Sequence, residues 1–570
     1  EAGKYITTGA YNTILGYQAG DAASIGNYNV LLGAFAGSGI NTGDADGTVA
    51  VGYNAGAILK SGIGSTAIGF EALKTATDND YNTAVGARAL YSISGSSGTQ
   101  GEANTAVGRY AGYSTTTGND NVFVGNGAGF SNTTGIYNNF IGTNAGNSST
   151  TAAQSTYIGW YAGFYQTVGG NNVAIGHQTL YGTTGKANSA ASNVAIGYQA
   201  AYRSDAGAGL VAVGKGALRN VSDSGSYSVA IGFDSGYYAS GSYNTFVGAD
   251  AGKGATTSAP FSSGFYNTAI GFEALKRFTS GQDNTALGKG ALAYLTTGGS
   301  NIGIGYQAGG NTTTANGNIY VGRSTGNNNN SGIENTCVGE YNYAHPAGIV
   351  NFRNVTVVGS EAGRYATGSY NTFLGSFAGH GTNTSAPFNK GEYNTFVGYH
   401  AGKEFTEASN LTIVGYKAGE SLRTTTNTVI IGNDAGRDGD VGSYNAIIGS
   451  YSALNSTGAS NATLGYAAGM DLTSGTANTL IGSNAAQNIT TGTNNTVVGR
   501  NAMVTNTVSG NYNVALGVSA LSNIADADSN IGIGFQAGNG YTHNDYGISI
   551  GYQSATTIQG ASKTISIGYR

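Results

Sequence analysis

One short phrase recurs from end to end of this chain. It reads YNTAVGARAL at 81–90, NVAIGYQAA at 193–201, YNTAIGFEAL at 266–275, NTALGKGAL at 284–292 and YNVALGVSAL at 512–521. Aligned on the glycine that follows the aliphatic residue, the phrase occurs 32 times, from Gly16 to Gly568, and 20 of the 31 spacings equal 17. The other spacings run from 16 to 23. The residue before the glycine is Val, Ile or Leu in all 32 copies, Asn stands four before it in 22, and Ala stands three after it in 25 of the 31 copies that reach that far. A fixed short period maintained over a whole chain is the mark of a solenoid, in which each unit is too small to bury a core alone and depends on its neighbours. It overrides the expectation of several domains that 570 residues would otherwise raise.

The unit reads as β. The segment from Asn to Gly, as in Asn244 to Gly248, is short, alternating and rich in β-branched residues. One period falls short of the roughly 30 residues of a βαβ unit but suffices for one coil with two or three short strands. The fold class expected is therefore all-β, a parallel β-solenoid of about 32 coils running through residues 1–570 as one region. Successive strands stacked at about 4.8 Å would give a rod on the order of 150 Å. In this reading the aliphatic residue before each glycine forms a continuous buried column, with the Thr or Val two before it on the same face, and the small Ala forms a second, tighter column. The mostly Ala or Phe residue between the aliphatic residue and the Thr or Val takes the other face. The recurring Asn forms a ladder of amides between coils. The glycine turns the backbone where a Cβ would clash. Longer loops are expected to project near 91–103, 255–265, 340–353 and 382–392. Two of them repeat TSAPF, at 257–261 and 384–388, seven repeats apart, which points to duplication of a seven-repeat block.

Composition removes several function classes. Gly is 97 of 570 and Pro only 3, without Gly at every third position, so the chain is not collagen-like. Charged residues are 9% and net charge is −5, with no basic patch to hold phosphates, so nucleic acid is not an expected partner. No apolar run approaches the length of a membrane-spanning helix, so membrane insertion by a helix is not expected. The lone Cys337 stands mid-strand in NTCVG, where Ala or Phe usually stands, and reads as a small packed side chain. The chain starts at Glu1 rather than Met and stops at SISIGYR, soon after a new copy begins, which suggests a processed product or the ordered part of a longer protein.

Chemistry-bearing constellations are weak. GISIG at 547–551 matches the Gly-x-Ser-x-Gly elbow, but the repeat frame puts Ser549 in mid-strand, as it does Ser566 in TISIG. His177, His345, His380, His400 and His543 are scattered, without metal-ligand spacing. The acidic pairs Asp44/Asp46, Asp78/Asp80 and Asp438/Asp440 lie in turns and lack the GGxGxDxUx calcium pattern. No catalytic residue, metal ligand or cofactor is assigned. The aromatic columns are more informative. The residue after the glycine is Tyr53 and Phe70 in two consecutive coils, Tyr399 and Tyr416 in two more, and Phe535, Tyr552 and Tyr569 in three. Tyr also precedes the Asn in many copies, among them Tyr11, Tyr28, Tyr81, Tyr266 and Tyr393. Such columns suit ladder stacking, packing between chains, or a glycan-binding stripe.

SNVAIGYQA at 192–200, YSVAIGFDS at 227–235 and NTALG at 284–288 resemble the head repeats of YadA-like trimeric autotransporter adhesins, and equally the NTAIGxxAL repeats of tailed-phage tail fibres. The resemblance covers essentially the whole chain. It implies a left-handed β-roll of three chains about one axis in the adhesins, and a trimeric fibre in the phage proteins. The repeat here is longer than the adhesin repeat, and residues 1–570 contain no segment that reads as a coiled-coil stalk, membrane-anchor barrel or C-terminal chaperone, the last of which cleavage would remove.

The function expected is a non-enzymatic structural fibre, extracellular on a virion or cell surface, that serves attachment. Its partners would be copies of itself and a host surface glycan or receptor. The alternative is a subunit that stacks end to end into an extracellular filament. An ice-binding solenoid is disfavoured because the Thr column is assigned to the core. A polysaccharide-cleaving tailspike is disfavoured because no coil concentrates acids and aromatics.

Overall fold

The computed structural model describes residues 1–22, 24–95, 100–186, 188–221, 225–257, 261–343, 351–382, 389–504, 508–558 and 562–570. The fold is a parallel β-solenoid with one strand per copy of the repeat and no helix among the described residues. The chain divides into two compact units, Glu1–Gly290 and Ala291–Arg570. In the first, β1 (Thr13–Leu15) through β16 (Thr285–Leu287) each pair in parallel with the next. In the second, β17 (Ile302–Ile304) through β32 (Ile565–Ile567) do the same. Register follows the repeat frame: Thr66, Ala67 and Ile68 lie beside Thr83, Ala84 and Val85.

Among the described residues each coil holds one strand rather than the two or three expected, usually of three residues, and only Ser409–Val414 and Thr426–Ile431 reach six. The rest of the coil is turn. Four positions per coil turn it through positive φ: the residue before the Asn, the glycine, and the second and fourth residues after it. In one coil these are Tyr81 (57°), Gly86 (137°), Arg88 (57°) and Leu90 (46°). L-residues visit this region at a cost of roughly 1 kcal/mol each. Here each such residue sends its amide to an adjacent coil: Tyr81 N–H to Ile63 O (2.9 Å), Arg88 N–H to Phe70 O (2.8 Å) and Leu90 N–H to Ala111 O (2.9 Å). Most of a coil's backbone bonding therefore comes from its neighbours, as a solenoid requires.

The glycine column is enforced by space as well as by φ. A Cβ on Gly69 would lie 2.5 Å from the carbonyl oxygen of Gly86 in the next coil. The Asn ladder also forms. Asn121 Nδ2 donates to Asn104 Oδ1 (3.0 Å) and to Gly135 O (2.8 Å), and its own Oδ1 accepts from the Asn138 amide (2.9 Å). The Asn side chains thus satisfy main-chain groups buried between coils.

The two faces of the strand are the reverse of the sequence reading. The middle residue points inward: Ala67, Ala84, Phe123 and Phe246 are buried. The residues either side of it point out. Ile231 is 42% exposed and Leu287 43%, and Thr356, Thr395 and Thr412 are exposed. The reason is cross-section. So short a coil encloses little room, and three inward columns already fill it: the Asn, the Ala three after the glycine and the residue seven after it, such as Ile40, Leu59 and Ile93. The remaining inward place goes to a middle residue whose size, in many coils, complements that of the residue four after the glycine. Small Ala84 goes with Leu90 and Ala269 with Leu275, whereas Phe123 goes with Gly129 and Tyr320 with Gly326. A Cβ on Gly129 would lie 2.4 Å from the Phe123 ring. Phe140 and Tyr157 stack inside, with centroids 4.7 Å apart. Cys337 takes the middle place and is fully buried, as read from the sequence.

Of the longer loops, residues 96–99, 258–260, 344–350 and 383–388 lie outside the described residues. His345 and most of both TSAPF segments fall within these spans.

Candidate functional site

The outward strand face is flanked on both sides by aromatic columns. The structure brings together the neighbours that the sequence placed after the glycine. Tyr53 stacks on Phe70 (5.5 Å), Tyr399 on Tyr416 (5.6 Å), Phe535 on Tyr552 (5.1 Å) and Tyr552 on Tyr569 (5.0 Å), with interplanar angles of 11–17°. The same column holds His177 between Trp160 and Tyr198, with centroids at 4.7 and 5.2 Å. Lys417 lies over Tyr416. On the other flank the Tyr residues before the Asn, or before Ser228 in its place, stack as well: Tyr11 on Tyr28 (5.2 Å), Tyr227 on Tyr243 (5.4 Å), Tyr243 on Tyr266 (5.2 Å) and Tyr370 on Tyr393 (5.0 Å). All the tyrosines of this second flank are exposed and adopt positive φ.

A third column escaped the sequence reading. It lies five residues after the glycine, in the turn. Of the nine coils from Gly86 to Gly232, seven have an aromatic there: Tyr91, Tyr113, Phe130, Phe164, Tyr181, Tyr202 and Tyr237. Tyr91 stacks on Tyr113 and Tyr113 on Phe130, both at 5.1 Å; Phe164 stacks on Tyr181 at 5.5 Å and Tyr181 on Tyr202 at 5.0 Å. Arg219 fills one of the two gaps, with its guanidinium 5.0 Å from the Tyr202 ring and 5.3 Å from that of Tyr237. Such a contact adds about 0.5–1 kcal/mol when exposed. Burial and the neighbouring tyrosines push the Tyr181 phenol up to about 12, so it stays protonated. The signal was available as a fixed offset, but it sat among Ser, Thr and Gly that read as loop.

Beside Tyr181 and Tyr202 lies a cavity of about 450 Å³, also lined by Lys186, Arg203, Asp205 and Phe261. Asp205 is buried, with an exposure of 6%. Its Oδ2 is 3.3 Å from Lys186 Nζ, and its Oδ1 is buried without a hydrogen-bond partner.

The other candidates have places inside the coil framework. Ser549 is buried, and its hydroxyl donates to Ser554 O (2.6 Å). Asp46, Asp80 and Asp440 cap backbone amides of the preceding coil, those of Asn27 (2.6 Å), Ile63 (2.8 Å) and Arg423 (2.8 Å). Asp78 accepts from Ser61 (2.9 Å), and Asp438 pairs with Arg437 (2.7 Å). His380 bonds Gly381 O (2.8 Å), His400 faces Glu420 (2.7 Å) and His543 faces Asp526. Burial lowers the His380 pKa against the pull of Glu361. Among the described residues no group of three His, Cys, Asp or Glu is placed to hold a metal ion.

Compared with known proteins, the chain matches no protein-family model and no curated protein.

Proposed function

We propose that this chain is a structural fibre protein whose copies associate side by side through the outward strand face, forming an extracellular attachment rod without catalysis. One observation carries the reading. Neither outward strand column contains a charged residue in any of the 32 strands, and the column before the glycine is wholly Val, Ile or Leu. An uncharged, half-exposed aliphatic stripe that recurs on every coil is far larger than the scattered apolar residues of a monomer surface. Its rows repeat at the strand spacing, about 4.8 Å. The surface that matches such a row at every step is another copy of the same solenoid, in parallel register. Cyclic symmetry closes that arrangement, and the resemblance of the repeats to trimeric adhesins and tail fibres supports three copies.

The test is particle mass by light scattering, for the wild type and for a variant with Ile196→Lys, Ile231→Lys and Ile270→Lys. Three chains in the wild type, and single chains with an unchanged circular dichroism spectrum in the variant, are expected. A monomeric wild type at micromolar concentration overturns the reading. Particles of indefinite length replace the trimer with an end-to-end filament.

A second reading has its own observation. The Thr column faces out, not in, so the ground for setting aside an ice-binding surface falls. Thr336, Thr356, Thr372, Thr395 and Thr412 occupy five successive strands, each two residues before an outward Val or Leu. Hydroxyls and methyls in a flat repeating array can order water. Thermal hysteresis in the wild type, lost when Thr372 and Thr395 become lysine, supports this reading; freezing-point behaviour equal to that of an inert protein removes it.

A further inference from the structure

The columns that flank the outward strand face carry charge as well as aromatic rings, and the two flanks differ in sign. The flank one residue after the glycine holds five cations, Arg109, Lys215, Lys289, Arg323 and Arg500, and one acid, Glu340. The flank five residues before the glycine holds three acids, Asp120, Asp283 and Glu334, and one cation, Lys563. All of these side chains are exposed. Glu340 is answered within its own flank, by Arg323 at 3.1 Å. Aromatic neighbours steady the cations: the Arg109 guanidinium lies 4.6 Å from the Tyr110 ring, and Lys215 Nζ lies 5.2 Å from that of Phe233. Among the described residues, Arg109 and Arg500 meet no carboxylate at ion-pair distance, and Asp120, Asp283 and Glu334 meet no cation.

We propose that these flanks are the two halves of one interface. The cationic flank of each copy lies against the acidic flank of the next, with Arg109 facing Asp120 and Arg323 facing Glu334 across the contact. The pairing rests on the side-by-side association proposed above and adds to it a physical basis for direction. Aliphatic rows at one pitch match a neighbour that runs either way, but the flanks do not. Antiparallel copies related by a two-fold axis set each flank against its own kind, cation on cation and acid on acid. Parallel copies about a common axis set each flank against the opposite one. Like charges across a contact are costly, whereas an exposed ion pair gains little, so these charges select orientation rather than supply strength. They also select an offset. With each cation facing the next coil of its neighbour, Arg109 meets Asp120 in the first unit and Arg323 meets Glu334 in the second. Lys215, Arg500 and Lys563 then meet Tyr227, Tyr512 and Tyr552, which suits cations. With same coils facing, Lys289 meets Asp283 but Glu340 meets Glu334. With each cation facing the preceding coil, no opposite charges meet.

The experiment is particle mass by light scattering across a dilution series, in low salt and in 1 M sodium chloride, for three full-length chains. The first is the wild type. The second carries Asp120→Arg and Glu334→Arg, which make both flanks cationic. The third adds Arg109→Glu and Arg323→Glu, which exchange the signs. In low salt the second chain is expected to need about tenfold more protein than the wild type to associate, and the third to return within about threefold. In 1 M salt, where the screening length falls to about 3 Å, the second chain is expected to approach the wild type. Circular dichroism is expected to be the same in all three. If the wild type associates and the second chain associates equally well in low salt, the flank pairing is overturned and the association stands. A third chain as weak as the second overturns the pairing too. A monomeric wild type overturns both.

Discussion

The size matching inside the coil makes a double substitution the sharpest test of the fold. Phe123 is fully buried in mid-strand, and Gly129 faces it. Phe123→Ala empties the ring's place and is expected to destabilise its coil by about 3–5 kcal/mol. Gly129→Leu alone puts a Cβ 2.4 Å from two ring carbons, and over-packing of this kind costs about 1–3 kcal/mol, with roughly 1 kcal/mol more for a leucine at positive φ. The two changes together recreate the pairing of Ala84 with Leu90, where leucine sits buried at φ 46°. The double variant is therefore expected to lose only about 1–2 kcal/mol, a coupling of at least about 3 kcal/mol. A global melting curve is the wrong readout, because long repeat arrays do not unfold as two states. Hydrogen exchange by mass spectrometry on peptides spanning residues 118–146 reads the local opening directly. Exchange there is expected to quicken roughly 150- to 4,000-fold in Phe123→Ala and to return within about thirtyfold of wild type in the double variant. A double variant at least as labile as the sum of the singles would refute the matching.

Three further outcomes follow from single residues. Asn121→Ala strands the Asn138 amide, bonded at 2.9 Å, and removes the 2.8 Å bond to the Gly135 carbonyl, which keeps its bond from Asn132 Nδ2 at 3.3 Å; at about 1–3 kcal/mol for the orphaned group, the Asn138 amide should lose most of its exchange protection, and unchanged protection would show that the ladder contributes nothing. Burial pushes the Cys337 thiol well above its ordinary pKa, so an aromatic disulfide reagent should leave it unlabelled until the chain is denatured; stoichiometric labelling of native protein would place it elsewhere. Glu71 is held below the usual carboxylate range by Lys74 and Arg88, both at 2.7 Å. A depressed folded pKa means that the stabilisation is complete above the ordinary glutamate range of about 4.3 and is lost as pH falls through the folded value. Glu71→Gln should flatten the acid-side rise in exchange of residues 66–91, and an identical pH profile in both proteins would count against the ion pairs.

The frame of the solenoid was open to reading because three of its devices are written into single residue types. Only glycine fits beside the next coil's carbonyl, as at Gly69; only a short amide reaches both the coil before and the coil after, as at Asn121; and aromatics in register must stack, as Tyr552 does on both sides. The direction of the strand faces was hidden, because alternation separates two faces without saying which one is inside. Hydrophobicity favoured the invariant Val, Ile or Leu as core, and it misled. What decides the matter is volume. An enclosed place tolerates a change of size only if a neighbour changes too, and the middle residue runs from Ala84 to Phe123 and Tyr320 while its partner runs from Leu90 to Gly129 and Gly326. Where both places in a coil are small, neighbouring coils fill in: Leu292 of the preceding coil lies 2.8 Å from where a Cβ on Gly303 would stand, and Phe123 of the next coil lies 2.6 Å from one on Gly112. The column before the glycine shows no such compensation. Leu287, Ile304 and Val321 follow one another without any matched change, as residues do when the surface opposite them is not part of the same coil. Their constant apolar character is therefore not explained by packing within the coil, and it is the feature on which the proposed side-by-side association through this charge-free face rests.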